Sequence, residues 1–245
     1  MKKILMITAS VLLLITFIPN VNAQEEESSP WSASLDIYSS YIWRGLKFGS
    51  GPAFQPSVEF STGGLSIGAW GSVNSGGLMD VIDAISPEAF EADLYAGYSF
   101  ALGENASLGF TVTDYYFGGD WLDGASHYFE PLVNIGVGGL SLTGAYMFMP
   151  DGSVSANGDE NKGDMYLEAS YGFKNLSIGL GAGEGQYTMH EDDNGDAIDD
   201  FGICNINVGT SKEIKITDSF TLPVSGSVIL NPSTGGFFIA VGISL

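Results

Sequence analysis

Cationic side chains are scarce. Eight Lys and Arg stand against 29 Asp and Glu in 245 residues, and Arg44 is the only arginine. A chain this acidic repels nucleic acid and anionic membrane surfaces, which excludes a nucleic-acid role. Cysteine is almost absent too: Cys204 stands alone, so neither an intrachain disulfide nor a cysteine-rich metal site is available. Inside a strand pattern it reads as a buried apolar residue. After the first twenty residues no ten consecutive positions are apolar, which excludes membrane-spanning helices. Nor is this a disordered composition, because 44% of the residues are hydrophobic and 12% aromatic.

What is there begins with an export signal. Lys2 and Lys3 form a positive start, Ile4 to Ile18 is apolar and uncharged, Pro19 breaks the run, and Val21-Asn22-Ala23 gives small-x-small. Residues 1–23 are expected to be a signal peptide cleaved after Ala23, with residues 24–30 a flexible periplasmic lead-in. An anchoring helix, the rival reading, needs ~20 apolar residues. Without Lys2 and Lys3, six cations face 29 acids, a formal charge of −23.

The last nine residues, FFIAVGISL, place Phe237, Ile239, Val241, Ile243 and Leu245 on one side of a strand and Phe238, Ala240, Gly242 and Ser244 on the other. This period of two recurs upstream. Strands are expected near 31–43, 53–62, 65–73, 89–100, 106–116, 128–137, 140–148, 164–173, 176–183, 201–210, 220–229 and 236–245. Tight turns at Thr62-Gly63-Gly64, Gly138-Gly139 and Lys174-Asn175 alternate with links of up to seventeen residues, as at 184–200. Short and long connections in alternation are the habit of outer-membrane barrels, long loops external and both termini periplasmic. The expected fold is therefore all-β: a transmembrane antiparallel up-and-down barrel of about twelve strands spanning residues 31–245. A soluble β-sandwich is the structural rival. It fits poorly, because soluble edge strands carry protective lysine and these strands have almost none.

Alternation sends Asp36, Arg44, Glu59, Glu91, Asp93, Glu130 and Glu168 to the face away from lipid, since a charge in mid-bilayer costs ~2–4 kcal/mol. Asp114 breaks the pattern, sharing parity with Leu108, Phe110 and Val112; a bulge or the interface at its strand end would accommodate it. Arg44 among six carboxylates reads either as a constriction that sets selectivity or as part of a polar network plugging the barrel. An open lumen with this excess of acid favours cations. Aromatics gather at strand ends: Tyr98, Phe100, Tyr171, Phe173 and Phe220 near the short turns, and Tyr41, Trp43, Tyr115, Tyr116, Phe117, Tyr128, Phe129, Tyr146 and Phe148 near the long loops. They form two interfacial girdles.

Catalytic and metal signals are thin. His127 and His190, the only histidines, lie in or beside long loops, and no nucleophile with base and orienter emerges from spacing. In Glu191 to Asp200, the residues Asp192, Asn194 and Asp196 alternate as in a calcium loop. Ala197 stands where the turn glycine belongs, however, and no Glu closes the loop; a solvated acidic loop is the competing reading. No cofactor is implied.

The stretch SSYIWRGLKFGSGPAFQPSVEFSTGGLSIGAWGSVN carries Trp43-Arg44-Gly45, Pro52-Ala53 with Gln55, and Gly68-Ala69-Trp70-Gly71-Ser72, and DLYAGYSF follows. These elements resemble the first hairpins of the TorF-like porin family, also catalogued as Gcw_chp, a family of unknown function. The resemblance covers residues 39–100 well and implies an outer-membrane barrel without naming a solute. The end at Leu245 departs from the aromatic terminus of many such barrels. The combined expectation is a monomeric outer-membrane porin in lipid and lipopolysaccharide, passing small polar, preferably cationic or neutral, solutes. The alternatives are a non-conducting barrel with a structural or adhesion role, and an outer-membrane hydrolase.

Overall fold

The computed structural model describes residues 29–76, 90–218 and 220–245. The expected leader and most of the lead-in lie outside the described residues. The chain forms β1 (Trp31–Tyr38), β2 (Tyr41–Trp43), β3 (Leu46–Phe48), β4 (Ala53–Thr62), β5 (Leu65–Asn74), β6 (Phe90–Ala101), β7 (Ala106–Tyr116) and β8 (His127–Val137). There follow β9 (Leu140–Phe148), β10 (Gly163–Gly172), β11 (Leu176–Gly183), β12 (His190–Glu191), β13 (Ala197–Ile198), β14 (Gly202–Lys215), β15 (Thr221–Asn231) and β16 (Gly236–Ser244). Twelve of these close into one antiparallel barrel: neighbours in sequence are neighbours in space, and β1 seals it between β16 and β4. β2–β3 and β12–β13 are separate two-stranded hairpins.

Closure removes the sheet edges that would otherwise invite pairing with other chains, and the alternation then sorts side chains by face. On β6, Leu94 is 48% exposed while Asp93 beside it is 1% exposed. The same division runs along β16, where Phe237, Ile239 and Val241 are exposed and Ala240 is buried. Apolar groups out and polar groups in is the arrangement of a barrel standing in lipid.

Two boundaries differ from the sequence reading by more than two residues. The tenth barrel strand, β14, runs on to Lys215 and shortens the turn that follows. More consequentially, the first strand stops at Tyr38. Tyr41 and Trp43 do not close a girdle at the rim; they belong to the β2–β3 hairpin, which is folded into the barrel. Tyr115, also expected at the interface, is buried inside, whereas Tyr98, Phe100, Tyr171, Phe173, Phe220, Phe129 and Phe148 are exposed on the outer face. Asp114 needs no bulge, because β7 keeps register with both neighbours there. It is accommodated by His127, whose Nδ1 lies 3.0 Å from Asp114 Oδ1.

Candidate functional site: a hairpin folded across the lumen

β1 ends and β4 begins at the long-loop rim, so the chain between them must either stand out in solvent or turn inward. The sequence makes the second choice favourable by packing apolar rings into a short hairpin. Tyr41 and Trp43 on β2 and Phe48 on β3 pack against each other and against Trp70, Tyr115 and Phe117 of the barrel. The two-residue loop between β2 and β3 is Arg44-Gly45, with φ of 50° and 82°. A type I′ hairpin turn needs positive φ at both positions. Arg44 is the only described residue other than glycine with positive φ.

The tip reaches the far wall. β11 and β14 shift register at Gly181/Ala182, so β14 carries an extra residue and both Cys204 and Asn205 are buried. The Cys204 carbonyl oxygen points at Gly45, where an added Cβ would lie 1.9 Å from it. Asn231 Nδ2, on β15, donates to the Gly45 carbonyl at 3.4 Å and to the Tyr187 carbonyl at 3.0 Å. Only a residue without a side chain lets the hairpin approach this closely.

The Arg44 guanidinium is held on several sides. Nη1 donates to Glu130 Oε2 at 2.5 Å and Nη2 to Glu130 Oε1 at 2.8 Å, a fork-on-fork pair; Nη1 also donates to the Tyr187 hydroxyl at 2.7 Å. Tyr115 donates its hydroxyl to Glu130 Oε1 at 3.1 Å. Arg44 Cζ lies 4.4 Å from the ring centroids of Trp43 and Tyr166, within reach of a cation–π attraction. Arg44 is 5% and Glu130 1% exposed, so removing either partner strands a buried charge, a loss of about 3–5 kcal/mol.

The remaining sequence candidates fall into three positions. Glu91 accepts from the Tyr41 hydroxyl and, with Asp93 two residues along β6, lies buried behind the hairpin; Asp93 Oδ1 has no hydrogen-bond partner. Glu168 is buried on the opposite side, where its Oε2 accepts from Tyr166 at 2.6 Å and Asn205 at 3.0 Å. Asp36 on β1 and Glu59 on β4 are half-exposed; Glu59 Oε2 accepts from Tyr95 at 3.0 Å. Thus Arg44 and Glu130 are brought together, while the others lie apart along the wall. Lys47, Lys162, Lys174, Lys212 and Lys215 are all exposed, so among the described residues Arg44 is the one buried cation.

Three contributors were not singled out from sequence. Tyr187 enters from the connection after β11, where Gly185–Tyr187 makes one 3₁₀ turn. Asp164 fixes that turn: its Oδ2 accepts from the Gln186 backbone at 3.0 Å and its Oδ1 from Asn161 at 2.9 Å. Tyr166 supplies the ring under Arg44. Asp164 and Tyr166 share the parity of Glu168, which was their signal; Tyr187 offered none.

At the long-loop end, Asp192 Oδ1 accepts from the backbones of Asn194 and Asp196 at 2.8 and 2.9 Å. These bonds hold the Asp192 carboxyl below its ordinary range and close the β12–β13 turn. Among the described residues no three metal-type side chains converge. His127 lies between Asp114 and the Trp121 carbonyl, and His190 Nδ1 faces the Thr188 carbonyl.

The fold has counterparts among solved structures. The NanC porin superposes with a TM-score of 0.50 at 8% identity, over 87% of this chain and 98% of that one. The KdgM porin gives 0.44 at 11% identity, over 86% and 97%. OprD of Pseudomonas aeruginosa gives 0.38 at 14%, over 91% and 68%. No curated protein matches the chain. The family described as "Bacterial protein of unknown function (Gcw_chp)" matches residues 23–218, most of the sequence. The chain belongs to the Gcw_chp family.

Proposed function

We propose that this chain is an outer-membrane, porin-like channel that admits small polar solutes and prefers cations, with the β2–β3 hairpin as its internal constriction. The observation that carries this reading is the division of faces: an apolar exterior around an interior holding Asp36, Glu59, Glu91, Asp93, Asp164 and Glu168, where the one buried cation among the described residues is engaged with Glu130. An interior with that excess of acid attracts cations and repels anions. The resemblance of Trp43-Arg44-Gly45 to TorF-like porins points the same way. In this reading the protein is a monomer in lipid and lipopolysaccharide, exported by residues 1–23, with long loops outside and termini in the periplasm. The acids near Asp192 give the outer surface its negative charge and hold divalent cations at most loosely. Reversal potential across a planar bilayer, under a salt gradient, tests it: a potential of cation sign is expected, and one of anion sign contradicts it.

One observation favours a second reading. Trp43, Arg44, Tyr187, Tyr115 and Met147 are all buried together inside the outer half of the barrel. A permanently filled barrel would be a structural or adhesion protein and would show no unitary conductance at all. A hydrolase gains no support from the two histidines, which engage Asp114 and backbone carbonyls.

A further inference from the structure

We propose that the pocket holding Arg44 is a binding site for guanidinium-bearing small solutes, and that Arg44 is its tethered, built-in occupant. This inference deepens the channel reading and, for its role in transport, rests on it. The pocket belongs to the barrel and not to the hairpin. Glu130 stands on β8, Tyr115 on β7 and Tyr166 on β10, while Tyr187 sits on the turn that Asp164 and Asn231 pin to the wall. Of the groups around the guanidinium, only Trp43 leaves with Arg44 when the hairpin withdraws.

What remains fits one cation shape. Glu130 offers both oxygens side by side, the Tyr187 hydroxyl faces a third N–H, and the Tyr166 ring centroid lies 4.4 Å from the guanidinium carbon. Two parallel N–H bonds to one carboxylate suit a planar fork and not a compact ammonium. The Tyr115 hydroxyl already bonds Glu130 Oε1 at 3.1 Å, so the carboxylate is oriented before any ligand arrives. With Arg44 gone, Glu130 is a buried carboxylate without a counter-charge. The sequence between β5 and β6 that lies outside the described residues, 77–89, contains no Lys or Arg and so supplies no replacement cation. A solute entering from the long-loop side therefore competes with Arg44 for Glu130. Because the hairpin is tethered, its effective concentration is high, which keeps the site self-occupied until such a solute is abundant.

The test uses the full mature chain refolded in detergent, with millimolar methylguanidinium as probe and methylammonium at equal ionic strength as control. Arg44→Ala should melt below wild type, and methylguanidinium should recover about 2 °C or more of that loss, with methylammonium recovering clearly less. Adding Glu130→Gln to Arg44→Ala should abolish the recovery. Equal recovery by both cations, no recovery, or recovery that survives Glu130→Gln overturns the proposal. Should Arg44→Ala fail to refold, Arg44→Gln carries the same comparison, since glutamine keeps side-chain bulk at the hairpin tip and brings no charge to occupy Glu130. Melting does not depend on conduction. A barrel that conducts no current yet shows selective recovery refutes the channel reading and leaves the site standing.

Discussion

Changing Gly45 to alanine isolates the hairpin's seat from the rest of the barrel. Gly45 has φ of 82°, where a Cβ costs about 1–2 kcal/mol. The larger effect is steric: the new Cβ would meet the Cys204 carbonyl oxygen at 1.9 Å, and real Cβ contacts essentially never fall under 3.0 Å. That oxygen is backbone of a barrel strand, so the hairpin tip has to lift by about an ångström. Lifting draws Arg44 away from Glu130 and forfeits charge-assisted bonds worth about 1.5–3 kcal/mol each. The twelve-stranded wall keeps its own ladder bonds. Gly45→Ala is therefore expected to assemble with the hairpin released, and to melt below wild type as Arg44→Ala does, because Glu130 loses its counter-charge. Trypsin should then cut at Arg44 or Lys47, which wild type resists, and the current through the barrel should rise. Gly138→Ala is the control: φ there is 60° and nothing lies within 4 Å of the added Cβ, so it bears the backbone cost alone. A Gly45→Ala protein as trypsin-resistant as Gly138→Ala would show that the hairpin tip does not seat on β14.

Val58→Arg should block assembly, because Val58 is 43% exposed on the outer face and an arginine at mid-bilayer costs about 2–4 kcal/mol; Ser57→Arg, next along β4 and inward, should assemble, and equal yields from the two would contradict the assignment of faces. Cysteine at Asp193 should react with impermeant maleimide on intact cells and cysteine at Lys174 should not; the reverse pattern would invert the proposed orientation. Glu130→Gln leaves Arg44 the uncompensated buried charge, so melting should fall and cation selectivity should drop, read from the reversal potential; unchanged values would mean the pair governs neither.

How much of this was visible in the sequence depends on which physical signal each feature leaves. The barrel wall was legible because each strand repeats one rule, apolar toward lipid and small or polar inward, and a one-residue slip would put charge into hydrocarbon. Asp93 and Leu94 illustrate it on adjacent positions. The inward hairpin was not legible. Tyr41 and Trp43 continue the period of β1 across Ser39 and Ser40 with no glycine or proline to mark the break, and alternation is blind to whether a ring faces lipid or lumen. The turn itself hid its type, since Arg44-Gly45 lacks the Asn-Gly or Asp-Gly signature. Glycines at 45, 49 and 51, all with positive φ, were the available hint that this segment turns repeatedly. Alternation put Arg44 on a wall strand, whereas it stands at the tip of the β2–β3 hairpin. Glu130 was one of six candidate partners, and choosing among them needed three-dimensional proximity that spacing does not carry. Asp164 was passed over because it adjoins the acidic loop that precedes β10, although its parity with Glu168 placed it inside.

The most direct measurement is single-channel conductance of the refolded chain beside a variant in which residues 40–50 are replaced by a short Gly/Ser link. If the β2–β3 hairpin is the internal constriction of a porin-like barrel, wild type should open in small steps and the variant in clearly larger ones, both of cation sign in a salt gradient. Steps of equal size in the two proteins, or a variant that stays silent although folded and inserted, would contradict it.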